Sequence, residues 1–404
     1  MIEEKKGLHE VDGLQSSGIH VGLKTSKNEK DLGLLYFSEP VTVAGVFTQN
    51  AVKAWPVQDS QLKLKKQDHF QAIIVNSGNA NACNGSQGQS ALENVVGALS
   101  NQLDIPSESI LMASTGIIGA PLDDQKIIGG LNSLVDSLQE ESSSNFSEAI
   151  LTTDTIEKQT TVSIEIDGES YSFTGAAKGS GMIHPRLGTM LAFIMTDINL
   201  SQAQLSDILQ DSVKESFNRV SVDGDTSTND TVLLCSTKKK ELDLTIEKMN
   251  LIHSAIKKVC QNLAQMIIED GEGATKFITV QVEGAASLVD ADQVAQTISQ
   301  SPLVKTAMFG EDPNFGRILA AVGYSGINQL NPNSIDIYFF STKGEVQVCR
   351  DGQACSHDNS QAEHILTDTD LTIKVNLNMG QYKSWVWTSD LTYDYVKINA
   401  EYET

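Results

Sequence analysis

Short apolar runs alternate with amphipathic stretches along most of the chain. Ala72-Ile73-Ile74-Val75 ends in the polar Asn76-Ser77-Gly78-Asn79-Ala80-Asn81, which predicts a strand running into a turn. From Ser90 to Leu103 the apolar positions Leu92, Val95, Val96 and Leu99 fall at helical spacing, and helical spacing returns from Asp123 to Leu138. Between them, Ile110-Leu111-Met112-Ala113 is a short buried strand that ends at Ser114-Thr115-Gly116. Thr160 to Phe173 alternates with period two and contains Asp167-Gly168, the signature of a hairpin turn. Met190-Leu191-Ala192-Phe193-Ile194-Met195 is too short for most helices and suits a central strand. Ser201 to Asn218 predicts a helix opened by a capping serine, and Leu242 to Ile268 contains a long amphipathic helix. The remainder mixes strands at 277–282, 335–340, 371–375 and 385–388 with a helix near 291–299. The strand pairs sit closer together than parallel crossovers allow. The expected class is therefore α/β or α+β with mixed and antiparallel sheets. Neither an internal repeat nor a linker is visible.

Composition narrows the function. The chain has 404 residues, 40% of them hydrophobic, enough for one large core or two moderate ones. Its formal charge is -23, so it lacks the basic stripe of a nucleic-acid binder. Lys238-Lys239-Lys240 is followed at once by Glu241 and reads as a solvated strand end. The negative field repels anions, so an acidic substrate needs a local cation. Five cysteines with no Cys-x-x-Cys pair argue against a disulfide framework or a zinc ribbon and fit reduced thiols. No signal peptide is evident and no stretch reaches the length of a membrane span, so a cytoplasmic protein is expected.

Several segments carry candidate chemistry. Gly188-Thr189 lies where the glycine-rich stretch Lys178-Gly179-Ser180-Gly181 has run toward a buried strand. A threonine hydroxyl beside a flexible glycine peptide can attack the preceding carbonyl and form an ester that water cleaves. The freed α-amine, with an ordinary pKa of about 7.7–8.0, then serves as the hydroxyl's own base. Ser114-Thr115-Gly116, after a strand, reads as a tight turn or as the source of one backbone N–H donor for an oxyanion. Lys178 can hold a carboxylate, and Glu272, between two glycines, can receive an ammonium. The run Asp223 to Asp230 invites a calcium reading. That pattern fails, because Thr228 stands in place of the glycine and Leu234 in place of the closing glutamate. A hydrogen-bonded structural loop is expected instead, with no metal. Gly271-Glu272-Gly273-Ala274-Thr275-Lys276 lacks Walker spacing and Gly179-x-Gly181 lacks a third glycine, so nucleotide binding is not supported.

These pieces occur together, in this order, in one family. The whole chain resembles the ornithine acetyltransferases (glutamate N-acetyltransferases) of arginine biosynthesis. The most specific match is Lys178 to Asp197, around that family's self-cleavage site. Supporting segments are 44–50, 76–83, 114–119, 152–155, 221–230, 271–276, 311–317 and 398–404. The resemblance implies self-cleavage between Gly188 and Thr189. The products would be chains 1–188 and 189–404, held together in a layered α/β/β/α fold of the N-terminal-nucleophile type and assembled as an α2β2 heterotetramer. It makes Thr189 the nucleophile, Thr115 and Gly116 the oxyanion stabilisers, and Thr152, Lys178, Thr189, Glu272, Asn399 and Thr404 the substrate-binding residues. The implied reaction is ping-pong transfer of acetyl from N-acetylornithine to glutamate, with no cofactor and with acetyl-CoA as an alternative acetyl donor. One pocket must then accept an ammonium and a carboxylate at the far end of the substrate, and the Thr404 carboxylate is a candidate partner for the ammonium. The chain departs from the family at Arg186-Leu187-Gly188, where Asn-Met-Ala is common, at Phe315 in place of tryptophan, and at Glu403 in place of arginine. The same nucleophile would also serve a self-processed aminopeptidase or amidase, and an inactive relative acting as a binding protein is the non-enzymatic alternative.

Overall fold

The hairpin expected between Thr160 and Phe173 sets the pattern for the first half of the molecule. Strands Lys158–Ile166 and Glu169–Lys178 are paired antiparallel, and Asp167 (φ 55°) and Gly168 (φ 85°) both take the left-handed conformation that a tight two-residue turn requires. The computed structural model describes residues 3–5, 8, 10–139, 144–184, 190–356 and 358–401. The chain forms two units, Met1–Asn218 with Asp225–Ile267, and Arg219–Gly224 with Ile268–Glu403.

In the first unit nine strands form one mixed sheet. Its order is Glu3–Lys5, Lys158–Ile166, Glu169–Lys178, Leu191–Ile198, Thr231–Lys240, Leu32–Phe47, His69–Asn79 and Ile110–Ile117, with Leu14–Ile19 also on Leu32–Phe47. Most neighbours are antiparallel. Two pairs are parallel: Thr231–Lys240 with Leu191–Ile198, and His69–Asn79 with Ile110–Ile117. Strand alternation splits the apolar side chains between two faces. Leu32, Leu34, Ala72, Ile74, Ile110 and Met112 meet the helices Gly85–Leu103 and Asp124–Asp136. Leu35, Phe37, Ile73, Val75, Leu111 and Ala113 lie on the other face and share a core with Phe193 and Met195. The strand predicted at 190–195 runs over Leu191–Ile198 and is buried at every position, as a central strand should be. Ser201 caps the helix Gln202–Lys214 in a full capping box with Gln204.

The second unit holds seven strands in the order Gln353–Ala354, Gly344–Arg350, Asp336–Ser341, Asp370–Asn376, Phe277–Ala285, Tyr382–Ser389 and Val220–Ser221. Its core joins Ile278, Val280 and Val282 of the central strand to Ala291, Val294, Ala295 and Ile298 of the helix Leu288–Ser299. The α/β class with mixed and antiparallel sheets is as the sequence pattern implies. Among the described residues the apolar content builds a core in the second unit and separate cores on the two faces of the first unit's sheet. Among the described residues, no helix is long and apolar enough to cross a membrane. Among the described residues no disulfide is formed.

The sequence pattern left some elements unread. The helix Trp55–Lys66 buries only Pro56, Val57 and Ser60, too few positions to give a helical stripe. The 16-residue strand Leu32–Phe47 is broken by the exposed Ser38-Glu39-Pro40, where its register against His69–Asn79 shifts, so neither half reads as one long strand.

Candidate active site

Strand register gathers the candidate groups of the first unit. Lys178 is the last residue of Glu169–Lys178, and its backbone partner is Leu191, two positions past Thr189. Leu191 also pairs with Thr231 on its other side. The twelve residues between Lys178 and Leu191 therefore leave and re-enter the sheet at adjacent strand ends. Gly188 and Thr189 themselves lie outside the described residues, as does Thr404.

The Lys178 side chain is 2% exposed. Its Nζ donates to Thr152 Oγ1 at 2.6 Å and lies 3.6 Å from Asp154 Oδ2. Asp154 is fully buried and also accepts from Lys158 Nζ (2.8 Å), the Gly179 N–H (2.6 Å) and the Thr152 N–H (3.0 Å). Burial pushes the Asp154 carboxyl upward, but Lys178 and Lys158 together hold it well below the usual carboxylate range. Two buried lysines thus converge on one carboxylate.

Asp230 lies on the other side of the same strand end. Its Oδ1 accepts the Met190 N–H at 3.0 Å, while the Met190 carbonyl accepts from the Thr231 N–H at 3.1 Å. Both backbone groups of the residue that follows Thr189 are thus clamped. Burial pushes the Asp230 carboxyl well above its usual range, against the Met190 N–H, the Thr48 and Ser227 hydroxyls and the charge of Lys178.

Thr115 and Gly116 lie at the end of Ile110–Ile117. Gly78 pairs with Gly116, and the two backbones approach so closely that a Cβ on Gly116 would lie 2.3 Å from the Gly78 carbonyl carbon. With φ at +132°, position 116 accepts only glycine. The Thr115 hydroxyl makes no hydrogen bond among the described residues, which leaves it available to an oxyanion. Asn229 fastens this strand end from outside, its Nδ2 donating to the carbonyls of Ala80 (2.6 Å) and Ser114 (2.7 Å). Of the run Asp223 to Asp230, which its sequence suggested as a hydrogen-bonded structural loop, the part in the first unit, 225–230, is held by such bonds. Among the described residues no group of three or more His, Cys, Asp or Glu could hold a metal.

In the second unit Glu272 and Asn399 come together. Asn399, on the helix Tyr393–Glu401, donates from Nδ2 to Glu272 Oε2 at 2.7 Å. The Gly273 carbonyl that follows Glu272 accepts from Thr392 Oγ1 at 2.7 Å and so holds this turn in place. Asp154, Lys158 and Asp230 were not singled out from sequence. Two signals were available: Asp154 lies inside the Thr152–Thr155 segment, and Asp230 closes the acidic run.

A helix-dressed mixed sheet with a buried lysine and a glycine-paired strand end at its strand ends defines a layered α/β protein. The ArgJ family model matches residues 15–404, and the chain belongs to that family. It is 42% identical over 395 residues to the arginine biosynthesis bifunctional protein ArgJ of Caldanaerobacter subterraneus, covering 97% of each chain. It is 41% identical over 396 residues to the protein of the same name from Thermotoga neapolitana, covering 97% of this chain and 99% of that one. Among solved structures, ornithine acetyltransferase of Mycobacterium tuberculosis complexed with ornithine is 31% identical, with a TM-score of 0.42, covering 46% of this chain and 98% of that chain.

Proposed function

We propose that this chain transfers acetyl from N-acetylornithine to glutamate through an acetyl ester on Thr189, after cutting itself between Gly188 and Thr189. As a member of the ArgJ family it is an acetyltransferase of arginine biosynthesis. The observation that carries the residue assignment is the register pairing Lys178 with Leu191, which sets the substrate lysine beside the start of the strand that Thr189 leads into.

In the first half-reaction the Thr189 hydroxyl attacks the acetyl carbonyl of N-acetylornithine and its proton passes by way of the free α-amine. The oxyanion collapses, the C–N bond breaks, and ornithine leaves with the proton. In the second half the amine of glutamate attacks the acetyl ester and Thr189 recovers its proton. Thr115 and the Gly116 N–H stabilise both oxyanions. Losing one such donor costs ~10²-fold or more in rate. Lys178, Thr152, Glu272, Asn399 and Thr404 bind the substrate. The clamp on Met190 holds the new N-terminus once its upstream peptide is gone.

The two products, 1–188 and 189–404, remain associated because strands from each side of the cut are sheet neighbours. Glu169–Lys178 pairs with Leu191–Ile198, and Thr231–Lys240 pairs with Leu32–Phe47. An α2β2 assembly in the cytoplasm completes the reading. The transfer draws on side-chain and backbone groups alone, and acetyl-CoA is a second donor to be assayed with glutamate. Water in place of glutamate would make the same nucleophile an amidase. The test is incubation with N-acetylornithine alone. A 189–404 fragment heavier by one acetyl group, discharged by glutamate but slowly by water, supports transfer; rapid discharge by water overturns it.

A further inference from the structure

The cations of this site extend beyond Lys178. Asp31 is fully buried, and its carboxylate accepts four consecutive backbone N–H groups: Val21 (2.6 Å), Gly22 (3.0 Å), Leu23 (2.7 Å) and Lys24 (3.0 Å). His20 Nδ1 lies 3.2 Å from the same carboxylate. The Asp31 carbonyl accepts the Ser77 N–H at 2.9 Å, which ties this loop to the strand His69–Asn79. So held, the loop runs along Gly78. A Cβ there would lie 3.3 Å from both the Leu23 carbonyl and Lys24 Cγ. Gly78 is the partner of Gly116, so the Lys24 side chain lies against the glycine pair that carries the oxyanion site.

The Lys24 ammonium is half-buried and donates to the Lys30 carbonyl at 2.9 Å. Among the described residues no carboxylate lies within ion-pair distance of it, whereas Lys178 and Lys158 share Asp154. Burial pushes Lys24 down from its usual pKa. Glu29 and Asp31 resist, Lys178 is near enough to lower it further, and Asp154 to raise it, so the two lysines share one neighbourhood.

We propose that Lys24 is a further substrate-binding residue, whose ammonium takes the α-carboxylate of the amino acid that gives or receives the acetyl group. The inference rests on Thr115 and Gly116 holding the oxyanion. The α-carboxylate is borne by the carbon attached to the reacting nitrogen, which places it about 3–4 Å from the reacting carbonyl carbon. A cation against the Gly78–Gly116 pair meets that end of the substrate. The far end, where ornithine has an ammonium and glutamate a carboxylate, is several bonds away. Lys24 thus binds both amino acids without choosing between them.

The test uses the full chain carrying Lys24→Met and Lys24→Arg, with processing into two fragments checked first by mass spectrometry. Lys24→Met should lower kcat/KM about 10–100-fold for both N-acetylornithine and glutamate, mainly through KM, and Lys24→Arg should recover most of it. N-acetylputrescine, the donor without an α-carboxylate, should be used equally poorly by wild type and Lys24→Met. If Lys24→Met is not processed, Lys24→Gln, which keeps a polar stem, takes its place. An equal loss with N-acetylputrescine would mean a structural role, a loss confined to glutamate would mean contact with the side-chain carboxylate, and unchanged kinetics would mean no contact. Each of these overturns the proposal. Failure of the Thr189 reading shows separately, as a wild-type chain that is uncut or never acetylated.

Discussion

Each unit of the molecule buries lysines, and it buries them differently. In the first, Lys178 and Lys158 converge on one carboxylate, Asp154, at a strand end that opens onto a glycine-rich loop. In the second, Lys305 is buried among neutral oxygens. Its Nζ donates to Thr388 Oγ1 at 2.9 Å and to the Ser389 carbonyl, and it pins the helix Pro302–Phe309 to the end of Tyr382–Ser389. Burial pushes Lys305 down to about 7, against Asp390 and Asp223. The first arrangement keeps charge in place at low dielectric. The second only satisfies a polar group that packing has enclosed. Among the described residues Lys178 has a carboxylate within ion-pair distance and Lys305 has none.

The comparison can be broken most forcefully at Asp154. Asp154→Ala removes the carboxylate that two buried ammonium groups share and should cost about 3–5 kcal/mol in denaturant unfolding, along with substrate binding. A change no larger than a surface substitution gives would mean that the lysines are not held as charges. Because the native carboxyl is held below its ordinary range, its stabilising contribution is complete above that range and is lost as the pH falls through and below it.

Lys305 should behave oppositely. Its folded pKa lies below its unfolded one, so between pH about 7 and about 10 the unfolded chain binds the extra proton and stability rises with pH. Lys305→Met should remove up to ~1.4 kcal/mol per pH unit of that slope. A slope that persists in the variant would assign it to another group.

A smaller and more specific effect is expected at Asp230. Asp230→Asn keeps an oxygen acceptor for the Met190 N–H and should retain kcat within about fivefold, whereas Asp230→Ala unclamps Met190 and should lower kcat more than tenfold at little cost in KM. Loss of activity in Asp230→Asn alone would show that the carboxyl acts as a charge. Smallest of all, Ser201→Ala removes the cap of Gln202–Lys214 and should cost ~1 kcal/mol in stability with no change in KM, a control for damage remote from the chemistry.

Much of this was legible in sequence because the local signals agreed. The 160–173 alternation with its Asp-Gly turn, the capped helix after Ser201 and the wholly apolar run after Met190 each specify their own element. What stayed hidden depends on non-local pairing. That Lys178 faces Leu191, or that Asp230 reaches Met190, follows from strand order and register, which no short window encodes. The place of the Asp154 carboxylate was hidden for the same reason, because its two lysines arrive from different strands, Lys158–Ile166 and Glu169–Lys178. The division into two units also left no compositional mark. Its later boundary falls between Ile267 and Ile268, inside the helix Ile246–Glu269.

Denaturing mass spectrometry of the purified protein beside Thr189→Ala tests the central claim most directly. Two wild-type fragments meeting between Gly188 and Thr189, with the variant intact and inactive, are what the account predicts. A wild-type chain that stays whole yet transfers acetyl at full rate would contradict it, because Thr189 would then lack the free amine on which its activation depends.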